Sequence, residues 1–328
     1  MLTFEMPASL THRLILVLLT IIWLLTLASL MGRYMYLELA THFRLQYALA
    51  ASISIVFLIG FHSWKALPFA ICCALFNWSY VLSYYSAPRL ADQSTTTTSL
   101  RLMHANLFQS NKNYAGLFRA VNDAKPHIIV LQEVTPAWAE QLRTLGDTYP
   151  HYEVVPRPKG SGMALFSRYP LASVEVLTLD ASTHLAILAK INIGETVVSI
   201  LSLHPTTPVT PFRFVNRNKQ FIGAAAILRV TKGPRVLVGD LNTTMWSPYF
   251  QTLLAESELR DARLGFGLLP SWPQPLPSFL QMAIDHCLVS DDIQVKGIRT
   301  GGGMGSDHRP LIVDLQLNPT LSLKDASD

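Results

Sequence analysis

Apolar residues crowd into the first quarter of the chain, in three long runs separated by short polar breaks. Leu14 to Met31 is almost uninterrupted Leu, Ile, Val, Trp and Ala, and Leu45 to Phe61 and Ala66 to Tyr85 repeat the texture. Each approaches the roughly 20 apolar residues a helix needs to cross a bilayer's hydrocarbon core, the middle one at the short end. The pattern predicts three transmembrane helices over about 14–31, 45–61 and 66–85, forming a membrane anchor over 1–90. A cleaved signal peptide would have a shorter apolar stretch and a small-residue cleavage site, and it would not be followed by two more spans. Trp64, Trp78, Tyr80, Tyr84 and Tyr85 include candidates for an interfacial aromatic belt.

Beyond a polar Ser/Thr tether over 91–99 the periodicity changes. Leu100 to Leu107 alternates, 110–125 has helical spacing stopped by Pro126, and His127 to Leu131 is a short apolar run. Thr135 as cap and Pro136 in the first turn open a second helix. Short β-branched and apolar runs follow at Tyr152–Val155, Met163–Phe166, Ser173–Leu179, Leu185–Ile193 and Val197–Leu203. Helical spacing returns over Arg213–Val230, and Arg235–Asn242 reads as a buried strand emptying into polar residues. A helix at Ser247–Glu256, a Pro-rich loop and strands at Ile284–Val289 and Leu311–Leu317 complete the pattern. Helices enter in two places, each beside strands ending in polar residues. This predicts an α/β (α+β) fold of two packed mixed sheets flanked by helices over 100–318, with a polar tail over 319–328.

The 328 residues carry a formal net charge of +4, which permits an anionic partner without requiring one. No dense Lys/Arg run resembles a nucleic-acid arm. Arg13 and Lys65 flank one side of the predicted spans and Arg33, Arg44 and Arg89 the other, a slight bias toward a cytoplasmic C-terminal part. The tether, and the single cysteine of the soluble part, Cys287, argue the other way. The expectation is an integral protein of a bacterial inner membrane with its C-terminal domain on the outer, periplasmic face. Adjacent Cys72 and Cys73 lie within an apolar run and are read as helix packing.

Polar residues at strand ends form a constellation: Asn106, Glu133, His204, Asp240, Asn242, Asp285, Asp307 and His308. Asp240 and Asn242 are two apart on a strand and so share a face. Hard oxygen donors and histidines without cysteine suit magnesium or manganese better than structural zinc. Taken singly, a Glu after a strand is usually a solvated loop residue and a His-Pro usually a turn.

The order and context of these residues resemble the endonuclease/exonuclease/phosphatase superfamily: His-Ala-Asn106-Leu, Gln132-Glu133-Val134, Ser202-Leu203-His204, Gly239-Asp240-Leu241-Asn242, Ile284-Asp285-His286 and Gly305-Ser306-Asp307-His308-Arg309-Pro310. The resemblance covers about residues 99 to 317. It implies a four-layered α/β sandwich and metal-dependent phosphoester hydrolysis with Mg²⁺, or Mn²⁺. It also implies Glu133 as main metal ligand helped by Asn106 and Asp307, and Asp240 as the group that orients or deprotonates water. Asn242 would hold water or a phosphate oxygen, and His308 would bind phosphate, kept cationic by Asp285. His204 resembles the second histidine of the deoxyribonuclease and neutral sphingomyelinase branches. Leu107 and Phe108 follow Asn106 where apurinic endonucleases place an acidic residue, which sets a DNA-repair role aside.

Arg168, after a strand in Phe-Ser-Arg-Tyr-Pro, matches a basic residue common in the family and is a candidate for phosphate contact or loop anchoring. Trp272 is a candidate for the cleft rim or for packing in its Pro-rich loop, and Asn216, Arg217 and Asn218 are candidates for reaching substrate from the helix start, with a solvated helix face the expected reading. The expected function is a membrane-anchored, divalent-metal-dependent phosphodiesterase or phosphatase. Its substrate would carry a phosphoester on a lipid headgroup or a nucleic acid, and its other partner is the bilayer. No protein partner can be inferred. The alternatives are a surface nuclease and a non-catalytic binding module. A transporter is disfavoured because the apolar runs hold almost no ionisable residues.

Overall fold

The computed structural model describes residues 8–86, 98–180 and 184–317. The N-terminal part contains α1 (Ala8–Ala28), α2 (Met35–Thr41), α3 (Arg44–Gly60) and α4 (Leu67–Ser86). By length and composition two helices can cross a membrane, Leu10–Met31 and Leu67–Ser86; a third crossing exists only if α2 and α3, bent by 61°, are counted together. The middle span predicted over 45–61 is at the short end for a bilayer, α3 having 17 residues and the chain before it turning away to pack elsewhere. Large apolar side chains cover the outer surfaces of these helices, among them Leu14, Leu24, Val56 and Leu75.

The C-terminal part folds as two six-stranded mixed sheets. The first contains β1 (Thr98–Asn106), β2 (Ile128–Gln132), β3 (His151–Val155), β4 (Met163–Ser167), β11 (Ile293–Thr300) and β12 (Leu311–Leu317), in the order β11-β12-β1-β2-β4-β3. The second contains β5 (Leu171–Leu177), β6 (Ala186–Ile193), β7 (Thr196–Leu203), β8 (Arg235–Asp240), β9 (Arg260–Asp261) and β10 (Asp285–Val289), in the order β5-β6-β7-β8-β10-β9. Helices α5 (Tyr114–Ala124) and α6 (Pro136–Leu142) cover one outer face; α7 (Pro211–Val230) and α8 (Pro248–Ser257) cover the other. The predicted four-layered sandwich is what forms. Thr135 caps α6 with Pro136 in its first turn, as the sequence indicates.

Some elements differ from the sequence reading. Strands β9 and β11 and helix α2 are additional, and β1 begins at Thr98, so Thr98 and Ser99 of the predicted tether already pair with Leu317 and Gln316. The rest of that tether, 91–97, and the polar tail lie outside the described residues.

Alternation along the central strands sets where chemistry can occur. Leu100 and Leu102 of β1, Ile128 and Val130 of β2, Val236 and Val238 of β8, and Cys287 and Val289 of β10 all join the core between the sheets. Continuing each alternation by two residues brings His104 and Asn106, Gln132, Asp240 and Asp285 to the same face. β1 runs parallel to β2 and β7 parallel to β8, while β10 runs antiparallel to β8 with Asp285 opposite Asp240. The polar ends of these strands therefore meet at one rim of an otherwise apolar sandwich.

Candidate active site

At that rim polar side chains join the two sheets, Gln132, Asn106 and His104 among them. The Gln132 amide accepts from the Asp240 backbone N–H at 2.9 Å and donates to the Leu203 carbonyl at 3.0 Å. Gly239 permits this approach, since a Cβ there would collide with the Leu203 carbonyl oxygen and the Gln132 amide. The next residue after β2 is Glu133, held at φ +59, a left-handed backbone that non-glycine residues rarely adopt. Its carboxylate accepts from the Gln109 backbone N–H at 2.8 Å and from Asn106 Nδ2 at 3.1 Å.

Asn106 Nδ2 also donates to Asp240 Oδ2 at 3.1 Å, while its oxygen accepts from the Phe108 N–H. The amide thus spaces the two carboxylates, with its oxygen held by the Phe108 N–H. Asp240 Oδ1 accepts from the Asn242 N–H at 2.9 Å, and Asn242, at φ +51, donates its own amide to the Pro205 carbonyl.

Asp285 lies fully buried between two imidazoles: His308 Nδ1 at 2.8 Å from Oδ2 and His104 Nε2 at 2.9 Å from Oδ1. His104 is missing from the constellation read in the sequence. It lies two residues before Asn106 within a buried strand, where the apolar setting gives no sign of a polar partner. His308 Nε2 then faces Asp240 Oδ2 at 3.6 Å, and His204 Nε2 faces the same oxygen at 3.7 Å. Burial alone would lower the His308 pKa, but Asp285 and Asp240 outweigh it and raise it to about 10, so the ring is cationic at neutral pH. His204 is the converse: burial, with the nearby His184, His308 and His104, lowers it to about 3 and keeps it neutral. Burial raises Asp240, whereas the His308 cation and the hydrogen bonds from His104 and His308 overcome burial and hold Asp285 well below the usual carboxylate range.

These groups open into a cavity of about 360 Å³ lined by Glu133, His204, Asp240, Asn242, Asp307 and His308. The cavity unites all the predicted residues except Asn106 and Asp285, which lie beneath its floor, and Arg168. Arg168 follows β4, which runs antiparallel to β2 with Ser167 opposite Ile128 and Met163 opposite Gln132. It therefore emerges at the far end of the sheet, about 20 Å of strand away from Glu133, where its guanidinium lies over the Tyr149 ring. Of the two roles considered for it, loop anchoring is the one this placement allows. Trp272 does line the rim, its Nε1 donating to Asp307 Oδ2 at 3.1 Å.

No three His, Cys, Asp or Glu side chains among the described residues converge as a ready-made metal cage. Three carboxylates line the cavity, and with Asp240 facing His204 and His308, Glu133 and Asp307 are the two left as oxygen donors for an ion. Few carboxylates on an open, solvent-reachable wall is the ligation magnesium uses while keeping most of its waters, so the residues present fit a hard divalent ion.

The Endonuclease/Exonuclease/phosphatase family model matches residues 103–308. No curated protein is matched. Among solved structures, that of the endonuclease/exonuclease/phosphatase from Bacteroides vulgatus is 19% identical, with 67% of this chain and 99% of that chain covered and a TM-score of 0.55. D. rerio TDP2 complexed with single strand DNA product is 13% identical over 66% of this chain and 99% of that one, TM-score 0.58. Humanized D. rerio TDP2 is 14% identical over 66% and 98%, TM-score 0.56. At these identities the likeness is one of fold.

Proposed function

The chain belongs to the endonuclease/exonuclease/phosphatase family, and on that footing we propose that it is a membrane-anchored, divalent-metal-dependent phosphoesterase that hydrolyses its substrate by direct attack of water. The observation that carries this reading is the Asp240, His308 and Asp285 array facing Glu133 and Asp307 across one cavity. Phosphoester hydrolysis needs an activated water, positive charge at the non-bridging oxygens and stabilisation of the leaving oxygen.

The chain's own residues supply the first two needs, and the leaving oxygen departs to solvent as an alkoxide stabilised by the ion or protonated by water. Asp240, its basicity raised by burial, holds the attacking water and takes its proton. His308, cationic and oriented through Nδ1 by Asp285, presents Nε2–H to the phosphoryl group. Neutral His204 adds a hydrogen-bonding ring on the adjacent side. Glu133 and Asp307 would hold Mg²⁺, or Mn²⁺, which when bound supplies Lewis-acid stabilisation of phosphoryl charge. Asn106 keeps Glu133 and Asp240 apart at a fixed spacing. The apolar exteriors of α1, α3 and α4 support anchoring in a bilayer.

Hydrolysis of bis(p-nitrophenyl) phosphate by the full chain in detergent tests the reading. Wild type should turn it over with Mg²⁺ or Mn²⁺, while Glu133→Ala and His308→Ala should not; activity surviving both changes would remove the site assignment. For orientation we carry forward the outer face, which protease accessibility on intact spheroplasts checks.

A further inference from the structure

Part of the cleft wall comes from outside the catalytic fold. Leu39 in α2, and His42 and Phe43 in the link to α3, line the same cavity as Glu133, Asp240 and His308. They are fixed there by buried polar contacts. Glu38 accepts from Arg217 of α7 at 2.5 Å and from the Ser247 hydroxyl that caps α8, and His42 Nδ1 lies 3.0 Å from Thr244 Oγ1. Long-helix ends converge on the same side of the domain: Gln46, near the start of α3, bonds the Phe279 carbonyl, and the Tyr84 carbonyl, near the end of α4, accepts from Gly265 and Gly267. If α1 and α4 cross a bilayer, α2 and the cavity beside it lie at its surface.

The cavity's composition narrows what enters it. Above the polar floor its wall carries Leu39, Phe43, Val209, Met282 and Ile284, and none of its lining residues is Lys or Arg. A nucleic-acid groove needs cations along the backbone path, so this wall is built for something else. Leu39 and Phe43 remain 40% and 37% exposed while lining the cavity, an apolar path between the floor and the outside.

We propose that the substrate is a phosphoester carried on a membrane lipid, its phosphate at the polar floor and the adjoining apolar chain against Leu39, Phe43 and Val209. This rests on the phosphoesterase reading of the cleft. The anchor then contributes specificity as well as attachment.

The test reconstitutes the full chain into vesicles of phosphatidylethanolamine, phosphatidylglycerol, phosphatidic acid and a polyprenyl phosphate, measuring released headgroup and inorganic phosphate beside hydrolysis of soluble bis(p-nitrophenyl) phosphate. Leu39→Glu and Phe43→Ser should lower the ratio of vesicle to soluble-ester hydrolysis on the order of tenfold. Val209→Glu, on the catalytic side and 57% exposed, should do the same without touching the docking of α2. Unchanged ratios in all three variants overturn the proposal. So does wild type that hydrolyses the soluble ester or an oligonucleotide but releases nothing from vesicles, which leaves the phosphoesterase reading standing. Wild type inactive on every substrate overturns both.

Discussion

Glu38 and Arg217 form an ion pair at 2.5 Å with both side chains removed from solvent, tying α2, between the apolar helices α1 and α3, to α7 of the two-sheet domain. The guanidinium also lies 5.2 to 5.4 Å from the ring centres of Phe214, Phe221 and Tyr249. Removing one partner of a buried pair leaves an uncompensated charge and costs about 3–5 kcal/mol, whereas replacing both with apolar groups can be neutral. Glu38→Gln should therefore lower the thermal midpoint of the full chain in detergent, and Glu38→Leu with Arg217→Met should recover most of the loss. A double-mutant cycle on unfolding midpoints checks this. Destabilisation by the double variant equal to the sum of the singles would mean the pair is not coupled.

Glu133 is the carboxylate proposed as the main ligand of the divalent ion. Glu133→Gln should reduce turnover by about 10³ or more and weaken Mn²⁺ binding measured by calorimetry. Treating wild type with a chelator should abolish activity, and Mg²⁺ should restore it.

On the proposed mechanism His104 would act through Asp285, which it contacts at 2.9 Å. Without it the Asp285 carboxylate keeps one imidazole contact in place of two, and the His308 ring is less firmly set. Losses for such outer partners run about 10- to 100-fold. His104→Phe should lower kcat by that order with KM nearly unchanged, and His104→Gln, which can still donate, should recover part of it. A defect confined to thermal stability would reassign His104 to packing.

Much of this site can be read in the sequence because apolar strands end abruptly in polar residues: Asn106, Glu133, His204 and Asp240 each follow such a run. His104 escapes because one polar residue within a buried strand carries no signal of its partner, which lies 181 positions away. Arg168 misleads because the pattern of a strand does not reveal its direction; β4 runs opposite to β2 and delivers its last residue to the wrong end. Arg217 reads as a solvated helix residue since its counter-charge, Glu38, belongs to a segment that looks like a linker between spans. The seven residues of α2 are too few for periodicity to register.

Arg168→Ala should accordingly leave turnover of a soluble phosphodiester within about twofold of wild type. Its effect belongs to stability, through the exposed contact with Tyr149, and should be under about 1 kcal/mol. A large fall in kcat/KM would place Arg168 in the chemistry after all.

Acid should destabilise the fold through His204 and His286, both buried and both shifted down, the first to about 3. The unfolded forms titrate near 6.5, so below that pH the unfolded chain binds protons the native chain refuses. Stability is thus full above about 6.5 and falls as pH drops, each histidine contributing up to about 1.4 kcal/mol per pH unit. Unfolding midpoints between pH 7 and 4.5 should fall less steeply for His204→Gln than for wild type. Parallel curves would rule out His204 as a contributor.

Gln132 joins the first sheet to the second directly beneath the reaction centre, and this makes it a ruler. It is the immediate neighbour of Glu133 and holds the backbone of Asp240, so the length of its amide side chain, together with Asn106 bridging the two carboxylates, sets the gap between Glu133 and Asp240. Asparagine would shorten that reach by one methylene, about 1.5 Å, several times the roughly 0.5 Å within which a catalytic constellation must be kept. The spacing of the site is thus calibrated by a residue that does not line the cavity, and two sheets with no shared hydrogen-bond ladder keep a common scale.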